Sequence, residues 1–295
     1  MPAPEFLIFE VLAYLVFAAC AWHAAKRGKM RLLELLVSLV YGVFLEWMTI
    51  QQVHAYSYGH FLVMFDGAPL CIGVGWAIII YSAMEFADAM RMPLSARPFL
   101  AGFLALNIDA GMDAVAIRLG FWNWVIPLDM QWFGVPYGNF WAWFIVVTSF
   151  SGFLYFYRSL GWNISKRTLK RWSYPVVSLV GSILVLAFSN WFFVTLFGRS
   201  DFGSTMAFLA LPLAGAVVLY LSRPAFVPAA RINWISLSVP LVFHTYFVLL
   251  GFIKGYFISI PLLAVVGVLM WVLGIGLHLY PWYLGRTPVK ETSHE

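Results

Sequence analysis

Apolar residues in this chain gather into nine long runs separated by shorter polar breaks. The runs fall at about 4–25, 32–50, 69–90, 98–119, 138–158, 173–197, 202–222, 234–251 and 257–280. Each is near the ~20 residues that an α-helix needs to cross a bilayer core. The pattern therefore predicts an all-α fold, a polytopic membrane bundle of about nine transmembrane helices with no soluble domain. Two breaks are long, 51–68 and 120–137, and both are rich in aromatic residues. Loops of such length in a compact protein usually carry function. The break at 158–171 reads as a linker, which divides the chain into a core unit at 1–158, further membrane helices at 172–285 and a polar, mobile tail at 286–295.

The two hairpins that hold the long loops, 36–90 and 103–157, also match each other at a constant offset of 67. Glu46 falls on Asp113, Gly67 on Gly134, Pro69 on Pro136, Trp76 on Trp143, Ser82 on Ser149 and Phe86 on Phe153. The expectation is a parallel repeat about an axis along the membrane normal, with Glu46 and Asp113 facing each other across it. Counting from the start of their spans at ~1.5 Å per residue puts both acids at one depth, about 21–22 Å, with Asp109 one turn lower.

Composition agrees with a membrane protein: 62% of residues are hydrophobic and 11% charged, against about 25% charged in a soluble domain. Aromatic residues make up 19%, more than an interfacial belt requires, which suggests an interior lined with rings. Charge sets the orientation. Fifteen of the 18 Lys and Arg residues lie at 26–31, 91–97, 158–171, 223–231 and after 285, while Arg118, Arg199 and Lys254 lie toward the opposite side. The positive-inside rule then places the N-terminus outside and the C-terminus in the cytoplasm of an integral protein of the cell (plasma) membrane. Acidic Glu5 lies at the start of the first run and Lys26, Arg27 and Lys29 follow it, the reverse of a cleavable signal peptide. The net charge of +5 is spread over five segments, so nucleic acid is not an expected partner; membrane lipid is. Cys20 and Cys71 sit at different depths, which argues against a disulfide.

Asp109 and Asp113 lie in the middle of the fourth run, one helical turn apart on one face. A charged carboxylate near a bilayer centre costs roughly 3 kcal/mol on insertion scales, so intramembrane acids usually have a function. A carboxyl group in an apolar site can keep its proton at neutral pH and act as a strong acid toward a weak base. A second carboxyl beside it reinforces this, because the two cannot ionise cheaply together. The structural alternative is a polar cluster that pairs Asp113 with Arg118, and Asp109 with Asn107 or with Tyr and Trp donors. Glu46 is either the partner of Asp113 or an interfacial residue. Glu85 and Asp88 read as structural, with Arg91 three residues beyond Asp88. His244 falls within a run, where it either lines a cavity or packs.

Glu46, His54 and His60 could be read as metal ligands, but no tight His or Cys spacing supports a metal site, and six His in all are too few for the eight-His pattern of membrane di-iron oxygenases. There is no phosphate-binding loop, nucleophile elbow or dinucleotide fingerprint, and Asp109-x-x-x-Asp113 stands without a second acidic motif of the prenyltransferase kind. Instead, Phe121-Trp122-Asn123-Trp124 and Gly134-Val135-Pro136-Tyr137-Gly138-Asn139-Phe140-Trp141-Ala142-Trp143 form an aromatic lid. Aromatic faces stabilise cations.

These residues, Asp109, Asp113, the stretch 120–124 and the run 133–143, resemble the core pattern of the membrane carotenoid-biosynthesis proteins. That family includes the carotenoid 1,2-hydratases and bisanhydrobacterioruberin hydratases. Glu46-Trp47 fits an early part of the pattern, and the resemblance covers roughly 36–158. One position departs from it, since Ala114 stands after the second aspartate where the family often has Pro. The resemblance implies addition of water across the terminal C1–C2 double bond of an acyclic polyene or isoprenoid, by a hydro-lyase that needs no cofactor. It also implies other carotenoid-pathway enzymes as partners. On this reading a buried acid protonates C2, a tertiary cation forms at C1, and water captures it. Asp109, Asp113 and Glu46 are the expected catalytic residues. Trp47, Trp122, Trp124, Tyr137, Asn139 and Trp143 are the expected substrate-binding ones. A cyclase sharing the protonation step and a proton-coupled transporter remain the alternatives.

Overall fold

The computed structural model describes residues 2–53, 56–197 and 200–286. His54, Arg199 and the tail at 287–295 lie outside the described residues. Among those described, nine helices are long and apolar enough to cross a membrane. In chain order the helices are α1 (Pro4–Arg27), α2 (Lys29–Val53), α3 (Leu70–Ala89), α4 (Arg97–Arg118), α5 (Tyr137–Ser159), α6 (Thr168–Phe197), α7 (Asp201–Ser222), α8 (Trp234–Ile253), the single turn α9 (Tyr256–Ser259) and α10 (Pro261–Arg286). The last predicted run began at 257. The chain instead makes the short α9 there, after Gly255 in the left-handed region, and α10 begins at Pro261, where proline's missing N–H costs a first helical turn nothing.

Helix α3 is the axis of the bundle and is almost wholly buried. It packs against α1, α2, α4 and α8, and α4 in turn packs against α5, α8 and α10. Helices α6 and α7 lie at the periphery and expose rows of large apolar side chains, among them Leu184, Phe188, Leu213 and Leu221, as lipid-facing helices do. Helices α2 and α3 approach each other closely at a pair of glycines. A Cβ on Gly42 would stand 2.7 Å from the carbonyl oxygen of Gly73, so only glycine admits this contact.

The two long loops form a cap over one end. Strand β1 (Tyr56–Tyr58) pairs antiparallel with β4 (Trp122–Trp124), in the register Tyr56 with Trp124, Ser57 with Asn123 and Tyr58 with Trp122. Strands β2 (Met64–Phe65) and β3 (Ala68–Pro69) make a tight hairpin. Its turn, Asp66-Gly67, is left-handed at both residues, with φ of 44° and 87°, the conformation required by a type I′ turn. At the offset of 67, Phe133-Gly134 has φ of 52° and 92°. There the bridge between Trp132 and Val135 stands where Phe65 pairs with Ala68. Pro69 and Pro136 each precede a helix of the bundle. The Ser82 hydroxyl donates to the Ile79 carbonyl, as that of Ser149 does to Val146.

Candidate active site

A cavity of about 680 Å³ lies beneath this cap. Its wall includes Glu46 from α2, Tyr56 and Tyr58 from β1, Trp76 from α3, Asp113 from α4, Trp122 and Trp124 from β4, and Asn139 and Trp143 from α5. Residues of α6, α7 and α8, such as Asn190, Ala207 and Phe243, complete it. Seven of the nine predicted site residues are thus assembled here, six on the wall and Asp109 just behind it. Two are not. The Trp47 indole donates instead to Asp66, at 2.8 Å. Tyr137 stacks on Phe208, with ring centroids 5.9 Å apart.

Asp109 and Asp113 are buried, at 0% and 1% exposure. They share one amide. Asn139 Nδ2 lies 3.2 and 3.1 Å from the two Asp109 carboxyl oxygens and 2.6 Å from Asp113 Oδ2. The Trp122 indole donates to Asp113 Oδ1. Helix geometry explains the pair: positions four apart on α4 project the same way, here toward α5, where Asn139 stands at the start of the helix. Of the two, Asp113 lines the cavity and Asp109 stands behind it. Of the structural alternative, the pairings with Arg118 and Asn107 are not formed, whereas an indole, that of Trp122, does donate to Asp113. Arg118 donates to the carbonyls of Ala114, Phe133 and Leu128, because its helix position turns it toward the cap turn. Asn107 faces α8 and α10, where it meets the Met270 carbonyl and His244. His244 is buried in that contact, off the cavity wall.

Glu46 is enclosed by the protein. At 4% exposure it accepts three hydrogen bonds, from Tyr56 Oη at 2.6 Å and Tyr58 Oη at 2.7 Å, both to Oε2, and from Trp76 Nε1 at 2.6 Å to Oε1. Tyr56 and Tyr58 alternate along β1, so both phenols leave the strand on one face. Burial first, then the Glu46 carboxyl beside them, holds both phenols well above the ordinary tyrosine pKa, so they stay O–H donors. Trp143 joins through Trp76, with ring centroids 4.4 Å apart. The two acid centres adjoin. Tyr58, which holds Glu46, meets Trp122, which holds Asp113, edge-on at 6.1 Å.

The sequence reading missed Tyr56, Tyr58 and Trp76. A Tyr-x-Tyr alternation in a loop facing a buried acid was the available signal for the first two, and the offset match of Trp76 with Trp143 for the third. His60 is exposed, and among the described residues no three His, Cys, Asp or Glu side chains converge as metal ligands.

Fold and site together define an integral membrane protein with an acid-lined aromatic cavity. A family model described as "Carotenoid biosynthesis protein" matches residues 5–212. The chain belongs to that family, and its role lies in carotenoid biosynthesis. No curated protein and no solved structure matches it.

Proposed function

We propose that the protein hydrates the terminal C1–C2 double bond of an acyclic carotenoid or related isoprenoid by acid catalysis inside the membrane. The observation that carries this reading is the pair Asp109–Asp113: two buried carboxyls sharing one amide, with no ion pair to either among the described residues. Two such groups cannot both be charged without a counterion, so they hold a proton between them. Asp113 faces the cavity and delivers that proton to C2. Asp109 stands behind it and keeps the proton in place. The tertiary cation at C1 is sheltered by the indole and phenol faces around it, and water adds there. Oxidation state does not change, so the reaction requires no redox cofactor. The distribution of basic residues supports an orientation with the cap outside and the C-terminus in the cytoplasm.

The test is expression in a bacterial host that makes lycopene, with pigments analysed by mass. A gain of one or two waters, abolished in Asp113→Asn with the protein still in the membrane, supports the reading. An unchanged mass with altered retention and spectrum would replace hydration by cyclisation. No new pigment in any acyclic-carotenoid host would sink it and favour a proton-dependent flux assay.

A further inference from the structure

The cavity holds two acid centres of opposite construction, and the hydration reading needs two different proton transfers. One group must give a proton to carbon, and another must take one from the attacking water. We propose that Glu46 is the second group, the base for water, and that Tyr56 and Tyr58 are its positioning residues. This rests on the hydratase reading of the same cavity.

The partners of Glu46 carry the assignment. Trp76 can only donate a hydrogen bond, and Tyr56 and Tyr58 have phenol protons aimed at Oε2. Three donors on one carboxyl group oppose the cost that burial puts on its ionised form. An ionised carboxylate offers about four acceptor sites. Two are taken on Oε2 and one on Oε1. One remains, on Oε1, for the O–H of a water molecule. The Asp109–Asp113 pair is built the other way, with two carboxyls against the N–H groups of a single Asn139 amide and one indole. It retains a proton, whereas the Glu46 cage retains a charge. The Tyr58–Trp122 contact brings the two centres to one patch of cavity wall.

The bonds balance. The π pair of C1=C2 takes the Asp113 proton and becomes the C2–H bond, leaving a cation at C1 and a carboxylate on Asp113. A water lone pair forms the C1–O bond, and the water proton passes to Glu46 Oε1. Glu46 then returns its proton to Asp113. The sum is alkene plus water giving tertiary alcohol.

The experiment is turnover of lycopene by the full-length protein in detergent made up in D2O. Deuterium is read at C2 of recovered substrate and of any double-bond isomer, alongside hydrated product. In Glu46→Gln the cation still forms but water is not activated. Hydration is expected to fall about 100-fold or more, while deuterium still enters recovered substrate or isomer. Tyr56→Phe and Tyr58→Phe are expected to shift the same ratio from hydration toward exchange, each less than Glu46→Gln, and a purely structural role would not change that ratio. Asp113→Asn loses exchange and hydration together. Hydration by Glu46→Gln at the wild-type rate would overturn the assignment. So would loss of exchange along with hydration in a variant that keeps the wild-type melting temperature. Wild-type protein that incorporates neither water nor deuterium would overturn the hydratase reading itself, a different result from either.

Discussion

The two ends of this bundle bury acids in opposite ways. At the capped end Glu46, Asp109 and Asp113 bond, among the described residues, only to neutral donors. At the basic end Glu34 and Asp88 are wrapped in guanidinium groups. Arg158 holds Glu34 through two nitrogens, and Tyr174 adds a phenol to the same carboxylate. Arg31 and Arg97 hold Asp88 at 2.6 and 2.7 Å. Sequence spacing predicted Arg91 for Asp88. The partners come instead from α2, α4 and α5, and Arg91 pairs by its backbone with Ala225. A buried acid surrounded by Arg has its charge neutralised and its geometry fixed, which serves stability and leaves no proton to give. A buried acid without a cation is held in one protonation state by its neutral donors and by burial alone, and is therefore suited to proton transfer.

This contrast breaks most visibly in activity. Asp113→Asn should lower hydration by about 10²- to 10⁴-fold while leaving the melting temperature in detergent unchanged or higher, since it removes a burden on the fold. Loss of both activity and stability would make the pair structural. The matching change at the basic end is Arg158→Ala, which strands Glu34 without its main counterion. It should cost about 3–5 kcal/mol of stability, read as a large fall in melting temperature, with turnover of the surviving folded protein near normal. Smaller is the effect of pH on the Glu46 cage. Unfolded tyrosines ionise near pH ~10, and Tyr56 and Tyr58 ionise above that when folded. Stability is therefore untouched by them below about pH 10 and falls as pH rises further, because the unfolded chain releases those protons first. The double variant Tyr56→Phe/Tyr58→Phe should flatten that alkaline loss in a half-life measurement. The smallest effect is Arg27→Ala. Arg27 is about half exposed and 3.6 Å from Glu85, so its removal should cost no more than about 1 kcal/mol in the same melting assay.

Much of this was legible from residue order. Run lengths predicted nine long apolar helices, and the spacing of Asp109 and Asp113 put both on one face of α4. The depth count for Glu46 and Asp113 agrees with their places on one cavity wall. What could not be read was which neutral donors would reach the acids. Trp47 follows Glu46 directly, yet neighbours on a helix point about 100° apart, so its indole leaves the cavity and finds Asp66. Tyr56 and Tyr58 reach Glu46 only because the loop doubles back as a strand, and that strand is fixed by β4, a partner remote in sequence. The Arg cluster on Glu34 and Asp88 was hidden for the same reason: Arg158 is 124 residues from Glu34. Long-range pairings of this kind leave no local period in the chain.

The hydrogen bonds at the capped end also bear on how such a protein can be made. Among the described residues, every donor to Glu46 lies within the 30 residues that follow it, ending at Trp76. The described donors to Asp109 and Asp113 likewise lie within 30 residues of Asp109, ending at Asn139. Each hairpin thus carries its cavity acids together with the donors that solvate them. Closing a loop of that length has a modest entropic cost, and none of these three carboxyl groups has to wait in lipid for a later helix, unlike Glu34 and Asp88, whose partners include Arg158 of α5. The capped end can be built hairpin by hairpin, with the β1–β4 ladder joining the two.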